Sequence, residues 1–103
     1  MKRIEVTSAL LRKMPENIPF KIRIYGNSMS PQITSGMVIT AIKLPTLFYK
    51  HGDIVLCKNK DMIIAHRIIE ITKDMVITKG DNVLIQDSPI MMSDILGKVI
   101  FYE

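Results

Sequence analysis

From Lys21 onward the apolar positions fall in short runs that either alternate with polar residues or stay β-branched throughout. Lys21-Ile22-Arg23-Ile24-Tyr25 alternates with period two, the mark of a strand buried on one face. Met37–Ile42, Ile54–Lys58, Met62–Ile71, Met75–Thr78 and Leu96–Tyr102 are apolar or β-branched runs of strand length. Turn chemistry separates them at Gly26-Asn27, His51-Gly52-Asp53, Lys60-Asp61, Lys73-Asp74 and Gly80-Asp81-Asn82. One segment reads as a helix. Residues 5–13 present Ala9-Leu10-Leu11 as an apolar face, with Thr7 or Ser8 to cap it and Pro15 to stop it. The pattern predicts a mainly β chain: a small folded sheet or barrel with one short N-terminal helix.

Composition narrows this picture. A chain of 103 residues, 48% of them hydrophobic, buries one modest core, and no linker, repeat or low-complexity run divides it. The expected organisation is a single domain over 1–103, with a helical segment at 1–18 and a β core at 19–103. The lone cysteine, Cys57, forms no intrachain disulfide and reads as a small apolar strand residue; with no metal or organic cofactor suggested, a cytoplasmic location is expected. Residues 24–42 carry no charge, but Gly26, Asn27, Pro31 and Gln32 make that stretch unfit to span a bilayer as a helix. Met1-Lys2-Arg3 runs into Glu5 with no long apolar segment behind it, so no secretory signal is expected either. Membrane association would then come only through a partner. The net charge of +4 arises from scattered Lys and Arg without interleaved aromatics, so nucleic-acid binding is not expected.

The polar residues that remain carry the chemistry. A serine hydroxyl becomes a useful nucleophile only when a neighbouring base takes its proton, and histidine does this best when a carboxylate holds its tautomer. The chain has two histidines. His51 lies in a turn, whereas His66 lies inside the longest strand run and shares a face with Ile64 and Ile68. Ser28 sits in Asn27-Ser28-Met29-Ser30-Pro31, good turn chemistry on its own account, and both Asp81 and Asp87 follow His66 as carboxylates able to orient it. Lys58 and Lys79 are the alternative bases, though each adjoins polar or turn residues rather than an apolar pocket. Among eight methionines, Met29 and the pair Met91-Met92 are candidates to line an apolar peptide groove.

The segment Gly26-Asn27-Ser28-Met29-Ser30-Pro31 through Gly36 resembles the serine box of the signal peptidase and LexA-type superfamily, G-x-S-M-x-P followed by an apolar residue and a glycine. Further blocks follow in the superfamily's order: Gly52-Asp53-Ile54-Val55, Ala65-His66-Arg67-Ile68-Ile69, Thr78-Lys79-Gly80-Asp81-Asn82 and Leu96-Gly97-Lys98-Val99. The resemblance runs from about Pro19 to Tyr102. Histidine in the base-bearing block is similar to the archaeal, endoplasmic-reticulum and SipW-like branch, where other members carry lysine.

Carried over residue by residue, the resemblance implies Ser28 as nucleophile, His66 as general base and Asp87 as third member, with Asp81, Asn27 and Met29 as supporting or oxyanion-side residues. Some signal peptidases have a hydroxyl where this chain has Gly26, which leaves the oxyanion to backbone N–H groups beginning with that of Ser28. The implied activity is that of a serine endopeptidase on an extended peptide or leader-like segment with small residues beside the scissile bond. The alternative is a non-catalytic or weakly active module that keeps the fold to bind a peptide or protein partner. Relatives that bind DNA do so through a separate helix-turn-helix domain, for which the residues ahead of Phe20 are too few.

Overall fold

A computed structural model describes residues 7–103, and the first part of the predicted helix, residues 5 and 6, lies outside them. The rest of that helix is α1 (Ser8–Arg12), with Thr7 as its N-cap accepting a hydrogen bond from the Leu10 N–H at 3.1 Å. Only Leu11 of α1 is buried, and it joins the core beneath the sheet.

Seven strands follow: β1 (Phe20–Arg23), β2 (Val38–Ile42), β3 (Ile54–Asn59), β4 (Met62–Ile71), β5 (Met75–Lys79), β6 (Ile90–Met91) and β7 (Ile95–Tyr102). They form one antiparallel sheet in the order β1-β2-β7-β3-β4-β5-β6, curled into a half-barrel. The mainly β expectation holds. Bulges help the sheet curl: register shifts between Thr40 and Ala41, between Leu56 and Cys57 and between Ile68 and Glu70 each break a ladder and sharpen the local twist.

Two hydrophobic cores occupy the two faces, and alternation along the strands sorts residues between them. Leu56, Ala65 and Leu96 belong to one core, with Met29 and Ile33 from the loop after β1; Val55, Cys57, Ile68 and Ile95 belong to the other, with Tyr49 and Val76. Central β3 is therefore covered on both sides, which explains an apolar run where a one-sided strand would alternate. Cys57 is fully buried in the second core, and burial pushes its thiol up to about 12. It packs as the small apolar residue its strand position suggests.

Three features depart from the sequence reading. The first strand ends at Arg23 rather than Tyr25, because Gly26 takes a φ of 102° and turns the chain; Ile24 keeps two bonds, its N–H donating to the Met37 carbonyl at 3.0 Å and its carbonyl accepting from the Gly36 N–H at 2.8 Å. Two 3-10 turns, Thr46–Phe48 and Met92–Asp94, occupy segments with no clear period. The two-residue β6 pairs with β5 where the sequence suggests a groove: Ile90 is buried, Met92 packs against the second core, and Met91 lies exposed opposite Met75. The Met91-Met92 pair thus belongs to the sheet edge.

Candidate active site

The loop after β1 carries Ser28 at the start of a turn held by the Ser30 N–H to the Asn27 carbonyl, 3.1 Å, and by the Ile33 N–H to the Met29 carbonyl, also 3.1 Å. Met29 and Ile33 are almost wholly buried, so the turn is anchored from beneath while Ser28 stays partly exposed. Alternation along β4 puts His66 on the opposite face from Ala65, and its side chain is 10% exposed.

These elements bring three side chains into one line. Ser28 Oγ lies 2.8 Å from His66 Nε2, and His66 Nδ1 lies 2.5 Å from Asp87 Oδ2. Asp87 Oδ2 also accepts from the Thr78 hydroxyl at 2.7 Å, and a carboxylate oxygen only accepts, so Nδ1 bears the imidazole hydrogen. Nε2 is then left with its lone pair toward Ser28, the tautomer that a base needs to take a hydroxyl proton.

The two carboxylates left open by the sequence are separated here. Asp87 faces the imidazole, while Asp81 binds the Arg67 guanidinium through both oxygens, at 2.9 and 2.8 Å. That fork-to-fork pair holds the Asp81 carboxyl below its ordinary value and raises Arg67. Arg67 also donates to the Gly52 carbonyl at 2.7 Å and to Gln32 Oε1 at 3.1 Å, so one side chain joins the serine loop, the turn before β3 and the Gly80-Asp81-Asn82 turn. Asp81 therefore supports the site through Arg67 and not through His66.

Because its folded-state value is depressed, Asp81 contributes stability that is present above its unfolded-state value, about 3.9, and is lost as pH falls through the folded one. Its partial exposure keeps the contribution modest. The unfolding midpoint of the wild type should therefore exceed that of Asp81→Asn at neutral pH, with the gap closing on acidification below about pH 4. A gap that stayed constant down to pH 2 would mean the ion pair contributes nothing.

The Gly80-Asp81-Asn82 turn is also pinned directly to the serine turn. The Asn82 N–H donates to the Ser28 carbonyl at 2.8 Å, Asn82 Nδ2 donates to the Asn27 carbonyl at 3.1 Å, and the Asp81 N–H points at Met29 Sδ, 3.2 Å away. A Cβ on Gly80 would stand 2.6 Å from the Ser28 carbonyl oxygen, closer than any side chain tolerates, so the approach of the two turns requires glycine. Gly80→Ala should force the turns apart, lowering stability by about 1–3 kcal/mol and weakening any chemistry at Ser28. Urea denaturation, with the activity of the folded fraction, measures both.

The remaining candidates fall into place around this line. Asn27 contributes its carbonyl to the turn contacts, and its side-chain amide makes no hydrogen bond among the described residues. The N–H groups of Ser28 and Met29 have no intramolecular acceptor among the described residues. Lys79 Nζ donates to the Gly80 carbonyl at 2.9 Å, Lys58 lines a separate hollow with Thr7 and Asp61, and His51 is exposed in its turn. Neither lysine is hydrogen-bonded to Ser28. Thr78 and Arg67 join the site as well, though the sequence marks them only as members of the blocks at 78–82 and 65–69. A signal for Thr78 exists in the sequence, since period two puts its hydroxyl on the buried face with Val76, where a polar group needs a partner.

Ser28 lies between two hollows. One, of about 510 Å³, runs between residues 21–25 and the first half of β4 and is floored by Ile22, Ile24, Met29, Ile33 and Ile63. The other, of about 560 Å³, lies against His66, Asn59 and Lys60 and residues 85–88. Met29 thus lines the groove beside the serine, while Met91 and Met92 line neither hollow. Among the described residues no helix is long and apolar enough to cross a membrane.

A partly exposed serine, a buried histidine and a carboxylate in one hydrogen-bonded line on a curled β-sheet define a serine-hydrolase type of arrangement. The chain belongs to the Peptidase S24-like family, whose model matches residues 2–100, and peptidase-type chemistry in general comes with that membership. No curated protein matches the chain.

Proposed function

We propose that the protein is a serine endopeptidase that cleaves an extended peptide or leader-like segment with Ser28 as nucleophile, His66 as base and Asp87 as its orienting acid. The observation that carries this reading is the unbroken run from Ser28 Oγ through both imidazole nitrogens to Asp87 Oδ2. Ser28 Oγ attacks the scissile carbonyl carbon while Nε2 takes its proton, and Asp87 stabilises the imidazolium that results. The unengaged N–H groups of Ser28 and Met29 are the donors nearest in the chain to the developing oxyanion. His66 then protonates the leaving amine, and a water molecule, deprotonated by the same nitrogen, hydrolyses the acyl-enzyme. A histidine base aligns the chain with the histidine branch of the superfamily.

The sheet offers a place for the substrate. β4 pairs with β3 along Met62–Arg67 but meets β5 only from Arg67 onward, so among the described residues the second edge of Met62–His66 has no strand partner. An extended peptide added to that edge would run past Ser28, hydrogen-bonded through its main chain, with alternate side chains in the 510 Å³ hollow. Small residues beside the scissile bond would let its carbonyl approach a serine seated between two walls.

A phosphonyl fluoride probe tests the reading without knowledge of the substrate. The wild type should be labelled on Ser28, with labelling lost in Ser28→Ala and strongly slowed in His66→Ala. Labelling at an unchanged rate in Ser28→Ala would overturn the proposal in favour of a peptide-binding module.

A further inference from the structure

Asp87 lies in an irregular stretch between β5 and β6, yet it must keep a carboxylate oxygen within hydrogen-bond distance of a strand-borne imidazole. Thr78 supplies the hold. Its main-chain carbonyl accepts the Asp87 N–H at 2.9 Å, and its hydroxyl donates to Asp87 Oδ2 at 2.7 Å. Thr78 itself is fully buried on β5, opposite Ile68 and thus two residues along β4 from His66. Loop carboxylate and strand imidazole are therefore referred to the same pair of hydrogen-bonded strands.

We propose that Thr78 is a positioning residue for the reaction: its hydroxyl fixes the rotamer of Asp87 so that Oδ2, and no other atom, faces His66 Nδ1. This inference rests on the Ser28, His66 and Asp87 reading above. No hydrogen bond reaches the other carboxylate oxygen, Oδ1, from the described residues, so the two donors converging on Oδ2 alone determine its orientation. With the hydroxyl removed, the main-chain tether still holds the Asp87 backbone, but the carboxylate is free to swing toward the second hollow, which Asp87 lines. The base would then spend part of its time without its orienting partner, and turnover would fall while peptide binding would not.

Thr78→Val tests this cleanly, because valine keeps the β-branched shape and the main-chain bonds and removes only the donor. The expected result is a kcat lower by on the order of tenfold to a hundredfold at nearly unchanged KM, with Thr78→Ser recovering most of the loss. A structural role alone would not move the second readout, the low-field proton resonance of the imidazole N–H. It should be sharp in the wild type and in Thr78→Ser, and broadened by exchange in Thr78→Val. In an Asp87→Ala background, Thr78→Val should cause no further loss, since Thr78 acts only through Asp87.

Wild-type kcat with an unaltered resonance in Thr78→Val, alongside an inactive Ser28→Ala, would overturn the role of Thr78 and leave the triad reading standing. Full turnover in Ser28→Ala would overturn the triad reading itself. Should Thr78→Val not fold, Thr78→Ala carries the same two readouts, and an unbroadened resonance at full kcat in that variant would equally reject the proposal.

Discussion

Ser28→Ala will be a folded protein without measurable peptide turnover, its kcat reduced on the order of 10⁴- to 10⁶-fold. The folded state survives because, among the described residues, Ser28 Oγ bonds only to His66, whereas the main-chain bonds of the turn, the Asn82 N–H to the Ser28 carbonyl among them, do not involve the hydroxyl. Met29 and Ile33 keep the loop seated in its core, so the unfolding transition should move little. Chemistry does not survive. Among the described residues no other hydroxyl is bonded to His66 Nε2, and residual oxyanion stabilisation cannot replace the attacking atom. A continuous assay with an internally quenched peptide, run beside the thermal transition of the same sample, measures both. Turnover within tenfold of wild type would show that Ser28 is only a turn residue.

Asp87→Asn will cost about 10⁴-fold in kcat, while Asp81→Asn will cost less than about tenfold. The difference follows from which atom each carboxylate meets. An amide at position 87 can turn its nitrogen toward Nδ1, which forces the hydrogen onto Nε2 and leaves no lone pair for the Ser28 proton. The change at 81 weakens a bridge to Arg67 that leaves the imidazole untouched, so its main effect falls on stability. Steady-state kinetics on the two variants separates these outcomes. The reverse ranking in two well-folded proteins would make Asp81 the orienting acid.

Much of this was legible from the sequence because strand pairing leaves a periodic trace. The runs at 54–58, 62–71 and 75–78 lie within β3, β4 and β5, and Gly26, Asn27, Pro31 and Gln32 of the uncharged stretch 24–42 lie in the loop ahead of β2. His66 was conspicuous as a polar group inside an apolar run, whereas Ser28 and the two aspartates lie outside such runs and stood out through the ordered blocks of the resemblance.

What the sequence concealed depends on contacts between distant segments. The choice between Asp81 and Asp87 turns on Arg67, whose guanidinium claims one carboxylate and so leaves the other to the histidine. No local rule states that Gly80 must pass under the Ser28 carbonyl, since glycine in a G-D-N turn already has a local explanation. β6 is too short for any period to register, and it exists because the second core can cover Ile90.

The ten-residue β4 constrains how this chain can change over evolutionary time. His66 and Arg67 are adjacent, so they project to opposite faces of the strand, one serving the serine and the other the ion-pair hub. A single residue inserted between Met62 and Ala65 would exchange those faces if the ladder with β3 were kept, moving the imidazole into the place of Arg67 and the guanidinium into that of Ile68 in the second core. Two inserted residues would restore the faces but carry the imidazole about 7 Å along the strand, out of reach of Ser28 Oγ. Beyond Ile68 the ladder absorbs one odd residue in its bulge. Insertions and deletions within the ladder ahead of the histidine are therefore opposed twice, odd ones by the pleat and even ones by the rise of the strand.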